Sequence, residues 1–303
     1  QDITLDEAAS TFGTLVLTGA NVAVTDAGAV DLGASTVSGT LGITSAGAVT
    51  DSGTLAITGA TTISASGQDI TLDESASTFG TLTLTGANVA VTENAATDLG
   101  ASTVSGTFAI TSGGAITDSG TQAITGDATF TNTAGSDDAI TLDDASNDFG
   151  GTVTFAADSG SAVTIVDITA LDLKALTAAS LSATAGGAVT DSGTLAIAGA
   201  TTISASGQDI TLDESASTFG TLALTGVNVA VTDAGATDLG ASTVSGTLGI
   251  TSAGAVTDSG TLAITGATTI SASGQDITLD QAASTFGTLA LTGVNVAVTD
   301  AGA

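Results

Sequence analysis

The sequence has no Cys, His, Pro, Met, Trp or Tyr, and its single basic residue is Lys174. Each absence excludes a class of chemistry. Without Cys there are no disulfide staples and no thiolate nucleophile. Without His or Cys there is no Ser-His or Cys-His catalytic pair and no zinc site built on nitrogen or sulfur. No Gly-rich loop is followed by Lys-Ser/Thr, so there is no phosphate cradle. Thirty-one carboxylates against one lysine leave a net charge of -30. That balance excludes nucleic acid and anionic membranes as partners and leaves cations, basic proteins and neutral sugars. Apolar runs are broken by Thr, Ser, Gly or Asp well short of a membrane-spanning length, so the chain is expected not to be membrane-embedded. The strong helix formers are almost missing, which favours strand and turn.

What is present is repetition. Residues 61–87 (TTISASGQDITLDESASTFGTLTLTGA) return nearly unchanged at 201–227 and 268–294. The latter part of the same stretch opens the chain at 1–20, and a loosened version runs from 128 to about 160. Between successive copies lie two units of 20 residues, such as 41–60 (LGITSAGAVTDSGTLAITGA). Units of 20, 20 and 27 residues make a super-repeat of 67. Repeats of this size mean an architecture that grows by stacking, whatever the chain length.

Within 41–60, apolar and small residues alternate three times, and each run ends at a Gly or Ser corner. Period-two alternation over four or five residues is the pattern of a half-buried strand. It sets Leu41, Ile43, Val49, Leu55 and Ile57 inward, with the intervening Thr and Ala outside. Three short strands and their corners make one coil, and the next coil places similar residues one strand spacing away, about 4.8 Å. One unit cannot bury its inner face alone, so stacking supplies the core. The expected fold is all-β: a right-handed parallel β-helix, or β-solenoid, with three short strands per coil and about 14 coils. The right hand is taken by analogy. The expected organisation is one continuous solenoid over 1–303, a fragment of a longer repeat array, with irregular coils at about 128–180.

Of the seven extra residues of the long unit, two fall near Gly67-Gln68, and the other five, within 74–80 (ESASTFG), are expected to form a polar bulge at a corner, ending in the Phe that recurs as Phe12, Phe79, Phe149, Phe219 and Phe286. These Phe residues either tuck the bulge against the solenoid or mark a docking ridge.

Units reading L-x-I-T-x-x-G-A-V-T-D-S-G-T-L-A-I-T-G resemble the repeats of filamentous-haemagglutinin-like exoproteins and related giant bacterial β-strand-repeat adhesins. The resemblance spans the chain and is one of repeat style. It implies a right-handed β-helix, export to the extracellular surface of a bacterium, and a place in a surface filament or adhesin stalk. Further repeats of the same protein, like filaments, and a host or neighbouring cell surface or its glycans are the partners it implies. The lack of basic residues and the 20-20-27 rhythm depart from that style.

Carboxylates are the only reactive groups available. Asp137-Asp138 with Asp143-Asp144, plus Asp148, form the densest cluster. Two carboxylates about 5 to 9 Å apart would suit glycoside hydrolysis, so a carbohydrate-binding or carbohydrate-cleaving β-helix acting through this coil is the alternative to a non-catalytic stalk. A more regular feature is an Asp near one corner of every coil: Asp6, Asp31, Asp51, Asp73, Asp98, Asp118, Asp143, Asp172, Asp191, Asp213, Asp238, Asp258 and Asp280. Asp-x-Gly is turn chemistry, in which the carboxylate accepts a backbone N–H. Stacked at the strand spacing these groups would repel one another, and water, raised pKa values or bound Ca²⁺ would relieve them. Asp31, Asp51, Asp73, Asp98, Asp118, Asp137, Asp138, Asp143 and Asp144 are the candidate Ca²⁺ ligands, and no other cofactor is expected. Lys174 stands where the matching units carry Gly33 and Gly100, two residues after Asp172, either neutralising the ladder there or as a drifted surface residue.

Overall fold

Alternating short runs such as Val22-Ala-Val24-Thr-Asp26 present one apolar edge and one small polar edge, and the backbone follows that pattern into strands of mostly three to six residues. The computed structural model describes every residue except Ala134, Ser136 and Ala303. Among the described residues there are strands and turns and no helix, so none that is long and apolar enough to cross a membrane. The chain forms two units: Gln1–Gly151 with Phe155–Asp158, and Thr152–Thr154 with Ser159–Ala303. Each is a parallel β-solenoid, and together they hold about 15 turns.

In the first unit Val22 pairs with Leu41, Leu41 with Thr61, and Thr61 with Leu82, all in parallel register. A turn therefore takes 19 to 21 residues. Leu41, Ile43, Val49, Leu55 and Ile57 are buried as their spacing requires, and the Thr and Ala between them face out or lie at the edge. Each inward residue sits over its counterpart in the turn before, so a column of Leu, Ile and Val is dehydrated only because turns lie above and below it. Backbones approach closely at the corners. A Cβ on Gly59 would lie 2.5 Å from the Gly39 carbonyl, and one on Gly80 would lie 2.5 Å from that of Gly59. The Ser-Gly-Gln corner needs glycine for a second reason, a left-handed backbone at Gly67, Gly207 and Gly274, with φ of 73°, 81° and 80°.

The long unit does not spend its extra residues on a bulge. It holds a full turn, made of Thr61–Ser64, Ile70–Leu72 and the single bridge of Thr78 to Ala56, followed by one further strand, Thr81–Gly86. That strand lies over Thr61–Ser64 and carries two shorter strands above it, Thr97–Leu99 and Ser102–Val104. One face thus divides in two where the face holding Thr78 ends. The repeat of about 67 residues makes three turns and one additional strand, which is why the turns number about 15 instead of 14. The consequence is a rotation. Val22 and Val89 are equivalent in sequence, yet Val22 belongs to the face of Thr61 and Leu82, while Val89 lies over Ile70 on the next face. The second unit repeats the move: Val163, Leu181, Thr201 and Leu222 share one face, and Val229 lies over Ile210.

The recurring Phe residues are packed inward. Phe79, Phe149, Phe219 and Phe286 are buried and Phe12 is half-buried, so they fill the interior below the dividing strand and present no ridge.

Candidate functional site

Carboxylates are the chemistry this chain has, and the strands set them at four kinds of position. The first closes the opening strand of each repeat. Val22, Val24 and Asp26 share one parity, so Asp26 points inward, and Glu93, Asp167 and Asp233 do the same in turn. All four are nearly fully buried. Asp26 accepts the N–H of Phe12 at 2.8 Å and that of Gly28 at 2.7 Å. Asp233 accepts the Gly235 N–H at 2.8 Å and the Thr237 hydroxyl at 3.0 Å. Glu93 accepts the Phe79 N–H at 3.0 Å and the Thr97 hydroxyl at 3.1 Å. Burial pushes Glu93 up to about 7 against the pull of those two donors, and burial also raises Asp233.

The second kind ends the V-T-D strand. Asp51, Asp118, Asp191 and Asp258 lie beside Leu32, Leu99, Leu173 and Leu239 of the preceding turn. Each accepts a backbone N–H from the following turn, from Asp73, Asp143, Asp213 and Asp280, at 2.8 to 2.9 Å. Burial raises Asp51 and pushes Asp191 up to about 6, the charges of the two following acids adding to it and their N–H groups opposing it.

The third kind faces out. Asp31 accepts hydroxyls from both sides, Thr14 at 2.6 Å and Ser52 at 2.8 Å. Asp98 holds Thr81 and Ser119, and Asp238 holds Thr221 and Ser259, in the same way. The fourth is a corner column in which Asp69 takes the backbone N–H of Asn88 at 3.1 Å and its side-chain amide at 2.9 Å, and the Asn88 side-chain carbonyl takes the N–H and hydroxyl of Thr107. Asp2-Asn21-Thr40 and Asp209-Asn228-Thr247 repeat it.

The expected single ladder of stacked acids is therefore corrected. Asp31, Asp98 and Asp238 lie beside Thr50, Thr117 and Thr257, and Asp51 lies beside Leu32. Along the strands carboxylates alternate with hydroxyl and aliphatic neighbours, whereas at the second kind of position the charges of the two following acids act on Asp51 and Asp191, whose pKa values are raised chiefly by burial. Of the nine Ca²⁺ candidates, Asp31, Asp51, Asp98 and Asp118 fall into these separate positions, and Asp73 gives its backbone N–H to Asp51 from the following turn. Among the described residues no three acidic side chains come close enough to hold a metal ion. Asp137 and Asp138 precede the strand Ile140–Leu142, and Asp143 and Asp144 follow it. That sets Asp138 and Asp143 at opposite ends of the strand, roughly 15 Å apart along the chain. Lys174 is exposed, at the position of Gly33 and Gly100.

Sequence reading missed the first and fourth positions. The signal for the first was available, since the two-residue period that buries Val22 and Val24 also buries Asp26. That for the fourth was the 19-residue spacing of Asp69, Asn88 and Thr107. In the second unit that corner column rims a shallow depression of about 240 Å³, floored by Thr211, Ala230, Gly249 and Thr269.

Four consecutive stretches, 19–85, 86–156, 160–225 and 226–293, match the family described as repeats of unknown function, DUF5649. The chain belongs to that family. The DUF5649 boundaries coincide with the structural period, since each match runs through the ten strand positions that end with the dividing strand. No curated protein and no solved structure matches the chain.

Proposed function

We propose that this DUF5649 chain is a structural repeat module of a secreted bacterial cell-surface filament or adhesin stalk, and that it is non-catalytic. One observation carries the reading: carboxylates at all four kinds of position are bonded to a neighbouring turn. Asp31 to Thr14 and Ser52, Asp51 to Asp73, Asp69 to Asn88, and Glu93 to Phe79 are all bonds between turns. Side chains that an enzyme would aim at a substrate here hold a solenoid together. The near-identity of the repeats fits a spacer, in which length matters and no single coil is special. The resemblance to filamentous-haemagglutinin-like repeats supplies the surface setting. Immunogold labelling of the native cells with an antibody to these repeats tests it. The expected result is label along surface filaments; label confined to the cell interior overturns the proposal.

A further inference from the structure

We propose that the Glu93 corner is a proton-operated latch on the chain segment that ends at Phe79, shut when the carboxyl is protonated and loosened when it ionises. The first-strand corner is built alike in each repeat, but this one carries Glu where the others carry Asp26, Asp167 and Asp233. The difference lies in the kind of donor and not the number, since Asp26 is equally buried and takes two backbone N–H groups. Asp26 and Asp233 each take the N–H two residues on, from Gly28 and Gly235, and so close a tight Asx turn. Glu93 is one methylene longer and reaches past that amide. Among the described residues its partners are the Phe79 N–H and the Thr97 hydroxyl. A carboxylate that is 2% exposed and has two donors is poorly compensated when charged.

Among the described residues no neighbouring charge does the work instead. Its pair on the strand Phe108–Ser112 is the uncharged Ser112. Of the ionisable groups on the adjoining segments, Asp73 and Glu74 act on Asp51, and Asp98 is held by Thr81 and Ser119. The cover that Glu93 is bonded to is the segment ending in the buried Phe79, and displacing it would hydrate the carboxylate. In the loosened form the carboxyl gives its proton to solvent at the ordinary Glu value of 4.5; in the shut form it does so at about 7. Ionisation therefore favours the loosened form about tenfold per pH unit across that window, up to about 300-fold in total, with no further change above it.

The chain has four Glu residues, Glu7, Glu74, Glu93 and Glu214, so carboxyl-¹³C glutamate labelling of the full chain gives four resonances. Glu93 is assigned by its loss in Glu93→Gln, or in Glu93→Asp if the first variant does not fold. The expected midpoint is near 7; a midpoint near 4.5 overturns the proposal. Hydrogen exchange then reads the latch itself. Leu84 is the internal reference, because its N–H goes to the neutral Ser102 hydroxyl at 3.1 Å. After correction for intrinsic rates, protection of the Phe79 amide relative to Leu84 is expected to fall up to about 300-fold from pH 4.5 to 7 in the native chain, and to stay level in Glu93→Gln. A level ratio in the native chain overturns the latch even if the midpoint is near 7.

Discussion

The repeat at 22–88 and the portion of the next repeat that lies in the first unit share one strand plan and differ in what fills it. Leu41 and Ile63 become Phe108 and Phe130, Leu84 becomes Phe155, and Thr61 shrinks to Ala128. Phe130 meets Phe108 edge-on at 5.9 Å, Phe149 edge-on at 6.0 Å and Phe155 stacked at 5.8 Å. Polar positions change as well. Gln122 replaces Leu55, and Asn147 replaces Ser77. Ser77 accepts the Leu55 N–H, and among the described residues the Oδ2 of Asp51 has no hydrogen-bond partner. Asn147 accepts the Gln122 N–H at 2.7 Å and also donates to Asp118 at 2.6 Å. A regular repeat gets cohesion from identical turns stacking; the divergent one replaces identity with an aromatic cluster and a better-bonded acid.

The largest test removes the cluster's centre. Phe130→Ala is expected to cost about 3–5 kcal/mol, since Phe130 is fully buried and touches three other rings. Ile63→Val at the matching position of the regular repeat is expected to cost about 1 kcal/mol. Urea unfolding of the two variants checks the contrast. Equal losses would mean that the whole Phe130 ring contributes no more than the one methylene removed from Ile63.

That contrast also shows what was legible in the sequence. The inward Leu, Ile and Val columns follow from period two alone, and with them the coil and its parallel stacking. The dividing strand was hidden because 81–86 (TLTLTG) reads as the end of a 27-residue unit, while its role depends on pairing with 61–64 below and with two strands above. Asp51 reads as a corner residue because Asp is a turn former and Asp26 goes unread, yet parity carries both inward, and burial then decides their chemistry. The inter-turn staples were only half visible: the spacings are in the sequence, but which Thr or Ser meets which Asp depends on register.

The acidic corners sharpen the comparison at the next scale. Asn147→Ser gives the divergent repeat the regular corner and removes the bond to Asp118, at an expected cost of about 1.5–3 kcal/mol. Asp191→Asn does the reverse in a regular corner. The Asp191 carboxyl is raised in the folded state from 3.8 to about 6, chiefly by burial. The folded protein therefore holds its proton more tightly than the unfolded chain does. The contribution of this group is full below about pH 4, falls as pH rises to about 6, and is level above. Asp191→Asn removes that loss and keeps an acceptor for the Asp213 N–H, so it is expected to be more stable than the native chain by about 1–3 kcal/mol above pH 6 and equal to it near pH 3. Melting temperatures of both proteins from pH 3 to 8 give the answer. A constant offset between the two curves would show that the effect is not proton-linked.

The smallest test concerns a defect that the regular repeats share. Thr61, Thr201 and Thr268 are fully buried, and among the described residues none of their hydroxyls has a hydrogen-bond partner. Thr61 lies between Leu41 and Leu82 in an aliphatic column, so its hydroxyl is dehydrated with nothing in return. The divergent repeat escapes this with Ala128, leaving Phe130 to fill the space. Thr61→Val keeps the branched shape that a strand prefers and replaces the hydroxyl with a methyl. It is expected to stabilise by about 0.5–1 kcal/mol, less than the full desolvation term because a methyl is bulkier than a hydroxyl in a packed column. The three sites are turns apart and share no partner, so the triple variant should gain nearly the sum. A loss of stability in the single Thr61→Val variant would mean that the hydroxyl is satisfied by water inside the column, and that the regular core is wetter than its Leu and Ile stacking implies.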